Sequence, residues 1–216
     1  MYRYAITLFC IINILVSQDM TGYDLAKKID QKEQPKSSKS NITMDLINLK
    51  NDKQKTKEMI SLSKDDGSKM LLFFKTPKRD KGVGFLKIES DEMDKISLFI
   101  PKLKKIRRIS SSGQSDSFMG SDLSFEDMLS RNLDDFKYTL IETTEDMYIL
   151  ESICKDTESA YSHHLSWVSK DQLLITKEES YDKNNKLLKE KLFEHVKISD
   201  YYIISKIDVT SIQDKH

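Results

Sequence analysis

Residues 101–127, PKLKKIRRISSSGQSDSFMGSDLSFED, form the long irregular stretch at the centre of a chain that otherwise alternates between strand-like segments and polar turns. A basic strand-like run carries Lys104, Lys105, Arg107 and Arg108, and a Ser/Gly-rich segment follows it. Loops carry much of the specific function of proteins, so we expect whatever is particular to this molecule to lie here.

The second half of this stretch predicts a tight turn followed by a short helix. Gly120, within Phe118-Met119-Gly120-Ser121-Asp122, permits a backbone conformation that is closed to other residues. Ser124 can cap a helix with Asp127 in the reciprocal position. Phe118 and Met119 either anchor this loop in the core or form a gate beside a cavity, and the sequence leaves both open.

Outward from the loop, both halves of the chain show the period of two that is typical of strands. Ile42, Met44 and Leu46 alternate with polar residues, and Asp65-Asp66-Gly67 is a strong hairpin signal. About eleven short strands follow one another with hairpin-length connections, which require antiparallel neighbours. The predicted fold is mainly β, a strongly curved antiparallel sheet in the form of a half-open barrel.

Helical candidates are few. Residues 19–32 place Tyr23, Leu25 and Ile29 on one helical face, and Pro35 with the serine-rich run after it reads as a linker. The other candidate is the segment after Ser124. Two short helices cannot cover eleven strands, so we expect them to act as a lid over an apolar hollow.

The first seventeen residues differ from the rest of the chain. A short positive start precedes a nearly continuous apolar run from Ala5 to Val16, and Ser17 is followed by polar Gln18. This layout indicates a cleaved signal peptide at 1–17, with one exported domain at 18–216. The apolar run is shorter than the ~20 residues that a spanning helix needs.

Composition and motifs argue against several other classes of protein. The formal net charge is zero and both signs are interspersed, which does not favour nucleic-acid binding. His163 and His164 are adjacent in a strand and point to opposite faces, so we expect no metal site. The sequence has no Gly-x-Ser-x-Gly motif of a serine nucleophile. Cys154 ends a predicted strand and has no evident base beside it. We therefore expect no cofactor and no enzymatic activity.

Several motifs of this chain resemble the LolA-like family of outer-membrane lipoprotein-sorting proteins over residues 40 to 209. They are Thr76-Pro77, Lys81-Gly82, Phe99-Ile100-Pro101, Ile106-Arg107-Arg108-Ile109, the run from Phe118 to Asp127, Trp167-Val168 and Glu179-Ser180-Tyr181-Asp182 before Lys189. The resemblance implies a periplasmic monomer with a half-open barrel and a helical lid. Its hollow would hold the acyl chains of a lipoprotein or lipid moving toward the outer membrane. Members usually continue with more strand beyond the position of Val209, so either a sheet edge is exposed there or the sequence is incomplete.

From the alternation and this resemblance we predict a ligand-binding cavity and a docking patch. The expected cavity residues are Phe74, Phe85, Leu98, Ile100, Phe118, Met119, Tyr148, Leu150 and Trp167. The patch is Lys104, Lys105, Arg107 and Arg108, which could meet an anionic headgroup or an acidic partner. An inner-membrane transporter and an outer-membrane acceptor are the expected partners. The alternative is a periplasmic sensor or protein-interaction module on the same scaffold, without lipid transfer.

Overall fold

A computed structural model describes residues 20–90 and 94–213. The predicted signal peptide lies outside these residues. Within them the chain forms one α-helix and twelve strands, in two antiparallel sheets of six. The helix α1 is Gly22–Asp30, and the strands are β1 Ser37–Asn48, β2 Lys53–Lys64, β3 Lys69–Thr76, β4 Gly84–Ile88, β5 Lys95–Ile100, β6 Lys105–Ile109, β7 Phe136–Thr143, β8 Met147–Cys154, β9 Tyr161–Ser169, β10 Ile175–Asp182, β11 Leu187–Ile198 and β12 Tyr201–Ser211.

The two sheets are meanders that follow chain order. Sheet 1 runs from β1 to β6 and sheet 2 from β7 to β12, with every neighbouring pair antiparallel. The central loop, residues 110–135, connects them. Neither sheet closes on itself, which confirms the predicted half-open, mainly β architecture. The number of strands is twelve where the sequence suggested about eleven.

Two local predictions differ from the structure. The predicted helix after Ser124 is only a three-residue 3-10 turn, Glu126–Met128, because Leu129 returns to extended backbone (φ −92°, ψ 151°). The serine-rich run placed in a linker begins β1, since Ser37–Ser40 pair along the ladder with Ser61–Lys64. Ladder hydrogen bonds use only the backbone, so polar side chains do not prevent pairing there.

Each sheet has its own hydrophobic cluster. Sheet 1 packs with the central loop around Phe74, Phe85 and Phe118, all fully buried. Sheet 2 packs with α1, whose Leu25 and Ala26 contact a cluster that includes Leu150 and Val168. The helix and the loop therefore pack on the two sheets. The predicted lid differs from this arrangement, because α1 packs on β7 and β8 and lines no part of the cavity between the sheets.

Helix α1 begins at a capping box. Asp24 N donates to Thr21 Oγ1 at 3.1 Å, and Thr21 N donates to Asp24 Oδ2 at 3.1 Å. Because the first amides of a helix lack helical partners, these bonds fix where it starts. In the described part of the chain, no helix is long and apolar enough to cross a membrane.

Candidate functional site

Residues 118–125 of the central loop form a tight turn, and the side chains of Phe118 and Phe125 anchor it in the hydrophobic cluster of sheet 1. Phe118 N donates to Leu123 O at 2.7 Å, and Ser121 Oγ donates to Phe118 O at 2.7 Å. Gly120 has φ +78°, in the left-handed region that favours glycine. The Phe118 ring lies edge-on to Phe85 and to Phe125, with centroids 5.0 and 5.7 Å apart.

Behind this turn lies a cavity of about 450 Å³ between the two sheets. Its apolar lining comes from the inner face of sheet 1, from the central loop and from the last two strands of sheet 2. These residues are Ile42, Met44, Met59, Met70, Leu72, Phe118, Leu123, Met128, Leu129, Phe193 and Ile207. Four methionines of this lining are flexible, polarisable side chains that adapt to irregular apolar ligands.

One side of the cavity is polar, where the loop meets sheet 2. The polar lining residues are Lys87, Glu126, Asp127, Arg131, Glu178 and Lys191. Asp127 and Arg131 lie on the loop, whereas Glu178 is on β10 and Lys191 on β11. The loop therefore crosses from the hydrophobic core of sheet 1 to the charged inner face of sheet 2.

Asp127 is the centre of this polar side. Its Oδ2 accepts hydrogen bonds from Ser124 N (2.8 Å), Tyr161 OH (2.9 Å) and Lys189 Nζ (2.9 Å), and its Oδ1 accepts from Lys191 Nζ (2.5 Å). Asp127 N donates in turn to Ser124 Oγ at 3.2 Å, so the predicted reciprocal capping bonds are present. Burial alone would raise the pKa of Asp127, but Lys191 and Lys189 hold it well below its usual value.

Glu178 forms the second half of the network. Arg131 donates to both of its carboxylate oxygens, at 2.6 and 2.8 Å, and Lys191 donates to Oε1 at 3.2 Å. Burial opposes ionisation of Glu178, yet Arg131 and then Lys191 hold its pKa well below the usual range. Lys191 thus joins Asp127 to Glu178, and three cations face two carboxylates.

His164 and Tyr161 complete the network beneath the cavity wall. His164 Nδ1 lies 2.9 Å from Ser180 Oγ and 3.4 Å from Arg131 Nη2. Burial, and then Arg131, lower the pKa of His164 well below its usual value, so the ring is neutral. Burial and then Asp127 raise the pKa of Tyr161, which keeps its phenol protonated.

The polar groups are arranged for binding and for holding the loop. Lys189 Nζ lies 2.6 Å from Tyr161 OH, a pairing that elsewhere serves proton transfer. Here Tyr161 and Ser124 are buried and are absent from the cavity lining. The surface offered to a ligand is therefore apolar over most of its extent, with charged side chains along one side.

Of the nine residues predicted to line a cavity, Phe118 alone is in its lining. Phe74, Phe85 and Leu98 are packed within the hydrophobic core of sheet 1. Met119 is partly buried and packs against that core. The half-buried Ile100 ends β5 and is paired with Lys105. Leu150 and Tyr148 belong to the cluster under α1.

Trp167 is on the opposite face from the cavity. It alternates with the buried Ser166 and Val168 on β9, and Lys177 Nζ lies 4.8 Å from its ring centroid. A ligand in the cavity would not contact this ring. Trp167 therefore reports on the outer face of sheet 2.

The predicted basic patch is divided by the geometry of β6. Lys104 lies in a left-handed turn before the strand (φ +49°) and Lys105 is its first residue. Arg107 shares a face with the buried Ile109 and lies 3.9 Å from Asp116 of the loop, so Arg108 points the other way. All four side chains are exposed, but they do not form one surface.

The residues that sequence reasoning missed are mainly the buried charges. Glu178 and Lys191 occupy inward strand positions that the alternating pattern does not distinguish from exposed ones, and Arg131 lies on the irregular central loop. Their partners are distant in sequence. Across the described ranges 20–90 and 94–213, no cluster of His, Cys, Asp or Glu is suited to holding a metal ion.

Comparison with known proteins places this architecture. A family model described as an uncharacterized protein matches residues 66–216. A DUF1329 family protein from Desulfovibrio piger is 31% identical, with 90% of this chain and 86% of that chain covered and a TM-score of 0.82. A candidate outer membrane lipoprotein-sorting protein domain from Vibrio parahaemolyticus is 27% identical, with coverage of 89% and 86% and a TM-score of 0.82.

The chain belongs to the DUF1329 family, and its fold is that of LolA-like proteins. A LolA superfamily protein from Nitrosomonas europaea shares the fold at 20% identity, with a TM-score of 0.69 and coverage of 89% and 86%. A search among curated proteins gave no match to this LolA-like chain. The resemblance to LolA-like proteins seen in the sequence is thereby confirmed.

Proposed function

We propose that this LolA-like protein is a periplasmic carrier that holds the acyl chains of a lipoprotein or lipid in the cavity between its sheets. The observation that carries the proposal is the apolar cavity of about 450 Å³, which opens between two sheets that do not close. Ligand pockets of proteins commonly measure roughly 300–1,000 Å³.

The lining supplies both the driving force and a polar side. Each methylene group that leaves water for the apolar lining contributes about 0.8 kcal/mol, so an acyl chain gains affinity with its length. The ester or amide end of an acylated ligand would lie toward Arg131, Glu178 and Lys191, where hydrogen-bonding groups are concentrated. Chemical change of the ligand is no part of this proposal, because binding and release suffice for a carrier.

The test is binding of a fluorescent fatty acid to two aspartate variants on the same strand. Ile207 lines the cavity and is 44% exposed, whereas Ile204, also on β12, is 47% exposed and is absent from the lining. We expect Ile207→Asp to weaken binding about tenfold or more, since a carboxylate on an apolar wall must be desolvated by the ligand. Ile204→Asp is the control and should bind as the parent protein does.

Two outcomes decide the proposal. Equal affinity of both variants for the fatty acid, or no binding by the parent protein, would contradict the proposal that the cavity binds acyl chains. Mass spectrometry of lipids extracted from the purified protein identifies a natural ligand. Transfer of that ligand between two vesicle populations then separates a carrier from a sensor that only binds.

A further inference from the structure

The outer face of sheet 1 is a continuous apolar surface on the side away from the cavity. The strand registers align two outward-facing rows across β2 to β6. One row is Ile60, Phe73, Gly84, Phe99 and Ile106, and the other is Leu62, Leu71, Leu86, Ser97 and Arg108. Six of these apolar side chains are between 37% and 70% exposed. Contiguous apolar patches of this kind mark sites of interaction with proteins or membranes.

Lysines border this apolar surface at both ends of the strands. The next row of the register is Lys64, Lys69, Ile88 and Lys95. Beyond the opposite end lie exposed Lys75, Lys102 and Lys104. Acidic side chains are interspersed with the first group of lysines: Asp65, which is paired with Lys69 at 2.6 Å, and Asp66 lie in the turn between β2 and β3, and Asp94 precedes Lys95. At the opposite end Glu58 lies at the end of a row. The cationic part of the border is therefore the end that carries Lys75, Lys102 and Lys104.

The outer face of sheet 2 shows that this surface is not a general property of the fold. There Lys177 forms ion pairs with Glu179 at 2.9 Å and with Glu190 at 2.8 Å. Glu194 and Asp208 flank Lys206 farther along β11 and β12. Charges of both signs thus interrupt the exposed apolar residues of sheet 2, such as Ile153 and Leu192, so that they form no continuous apolar surface with a cationic border.

We propose that the outer face of sheet 1 docks the protein on the surface of an anionic lipid bilayer. Lysine stems lie along apolar surface while their ammonium groups reach anionic headgroups, and Phe73, Phe99 and Ile106 would enter the interface. A protein partner is less well matched, because protein interfaces are depleted in lysine and depend on Trp, Tyr and Arg anchors. Docking by this face leaves the cavity, on the other face, open to exchange its contents.

The test is sedimentation of the purified protein with vesicles of phosphatidylglycerol and phosphatidylcholine, and with phosphatidylcholine alone. We expect binding to the anionic vesicles that weakens with added salt. Lys75→Gln with Lys102→Gln should lower the partition coefficient by about fivefold for each lysine removed. Phe73→Asp should lower the partition coefficient further, since the negatively charged aspartate at the centre of the patch is repelled by the anionic headgroups.

Matched controls come from sheet 2. Leu192→Asp on β11 alters a side chain of similar exposure, 42%, and Lys137→Gln with Lys186→Gln removes two lysines outside the patch. These variants should sediment as the parent protein does, and unfolding midpoints check that every variant is folded. The lysine pair keeps the test valid if Phe73→Asp does not fold.

Three results would overturn the proposal. They are failure of the parent protein to bind anionic vesicles, an equal loss of vesicle binding in the variants of both sheets, and binding of an acidic protein in place of vesicles by the same surface. Ile207→Asp should keep vesicle binding, so the cavity and the docking surface can fail separately.

Discussion

At the scale of single residues, His164 makes stability depend on pH in the mildly acidic range. Its ring faces Arg131 at 3.4 Å and Glu178 at 3.8 Å, and it packs on the Tyr161 ring with Asp127 and Lys191 nearby. Burial and Arg131 hold its pKa well below the value of about 6.5 of an unfolded chain. Below that pH the unfolded chain binds a proton that the folded protein does not.

We therefore expect the free energy of unfolding to fall as pH drops below about 6.5, by at most about 1.4 kcal/mol per pH unit until the folded pKa is reached. His164→Gln should reduce this slope, because glutamine does not titrate. His163→Gln on the outer face of the same strand is the control and should leave it unchanged. Denaturant unfolding between pH 7 and 5 measures the slope. Identical slopes in parent and His164→Gln proteins would show that another group is responsible.

At the scale of elements, Gly22 sets how closely α1 approaches β7. A Cβ at this position would lie 2.7 Å from Leu140 N and 2.7 Å from the carbonyl carbon of Thr139, both of them backbone atoms. Gly22→Ala should therefore push the helix off the strand and lower the free energy of unfolding by about 1–3 kcal/mol. Gly113→Ala, whose Cβ would meet side chains at 3.5 Å, is the matched control. Equal stability of the two variants would show that α1 can shift at no cost.

Element positions were largely predictable because backbone ladders follow the alternation of side chains. The alternating residues Ile42, Met44 and Leu46 lie in β1, and Asp65-Asp66-Gly67 forms the turn between β2 and β3, as predicted. The face of the sheet on which each side chain lies was less predictable than the positions of the strands. Strict alternation would place Tyr161 and Trp167, six residues apart on β9, on one face. A register shift between Tyr181 and Asp182 on the neighbouring β10 instead places Tyr161 on the inner face, away from Trp167.

The candidate site was less predictable than the fold. Lys57 and Lys191 are buried against Asp80 and Glu178, which lie on distant segments. An isolated lysine in a strand reads as an outward residue, because burying its charge is costly without a partner. Only the fold brings those partners together, so no local pattern reveals such positions.

At the scale of the whole molecule, the central loop couples two sheets that have separate hydrophobic clusters. Phe118 and Phe125 belong to the cluster of sheet 1, whereas Asp127 and Arg131 bind charged residues of sheet 2. Glu126 extends this connection, since its carboxylate accepts hydrogen bonds from Ser159 Oγ and Ala160 N. Cooperative unfolding of the two sheets should therefore depend on the polar network.

Asp127→Asn tests this coupling. The substitution leaves Lys189 and Lys191 facing an uncharged amide, and removing one partner of a buried ion pair costs about 3–5 kcal/mol. Trp167, the single tryptophan, reports on sheet 2, whereas far-ultraviolet circular dichroism reports on both sheets. In the parent protein we expect the two denaturation curves to coincide, as in a two-state transition. In Asp127→Asn they should separate, with sheet 2 losing its structure at a different denaturant concentration from sheet 1.

The control is Asp116→Asn, which changes an exposed carboxylate of the same loop and should leave the two denaturation curves coincident. Coincident curves in Asp127→Asn would show instead that packing between the sheets couples them without this network.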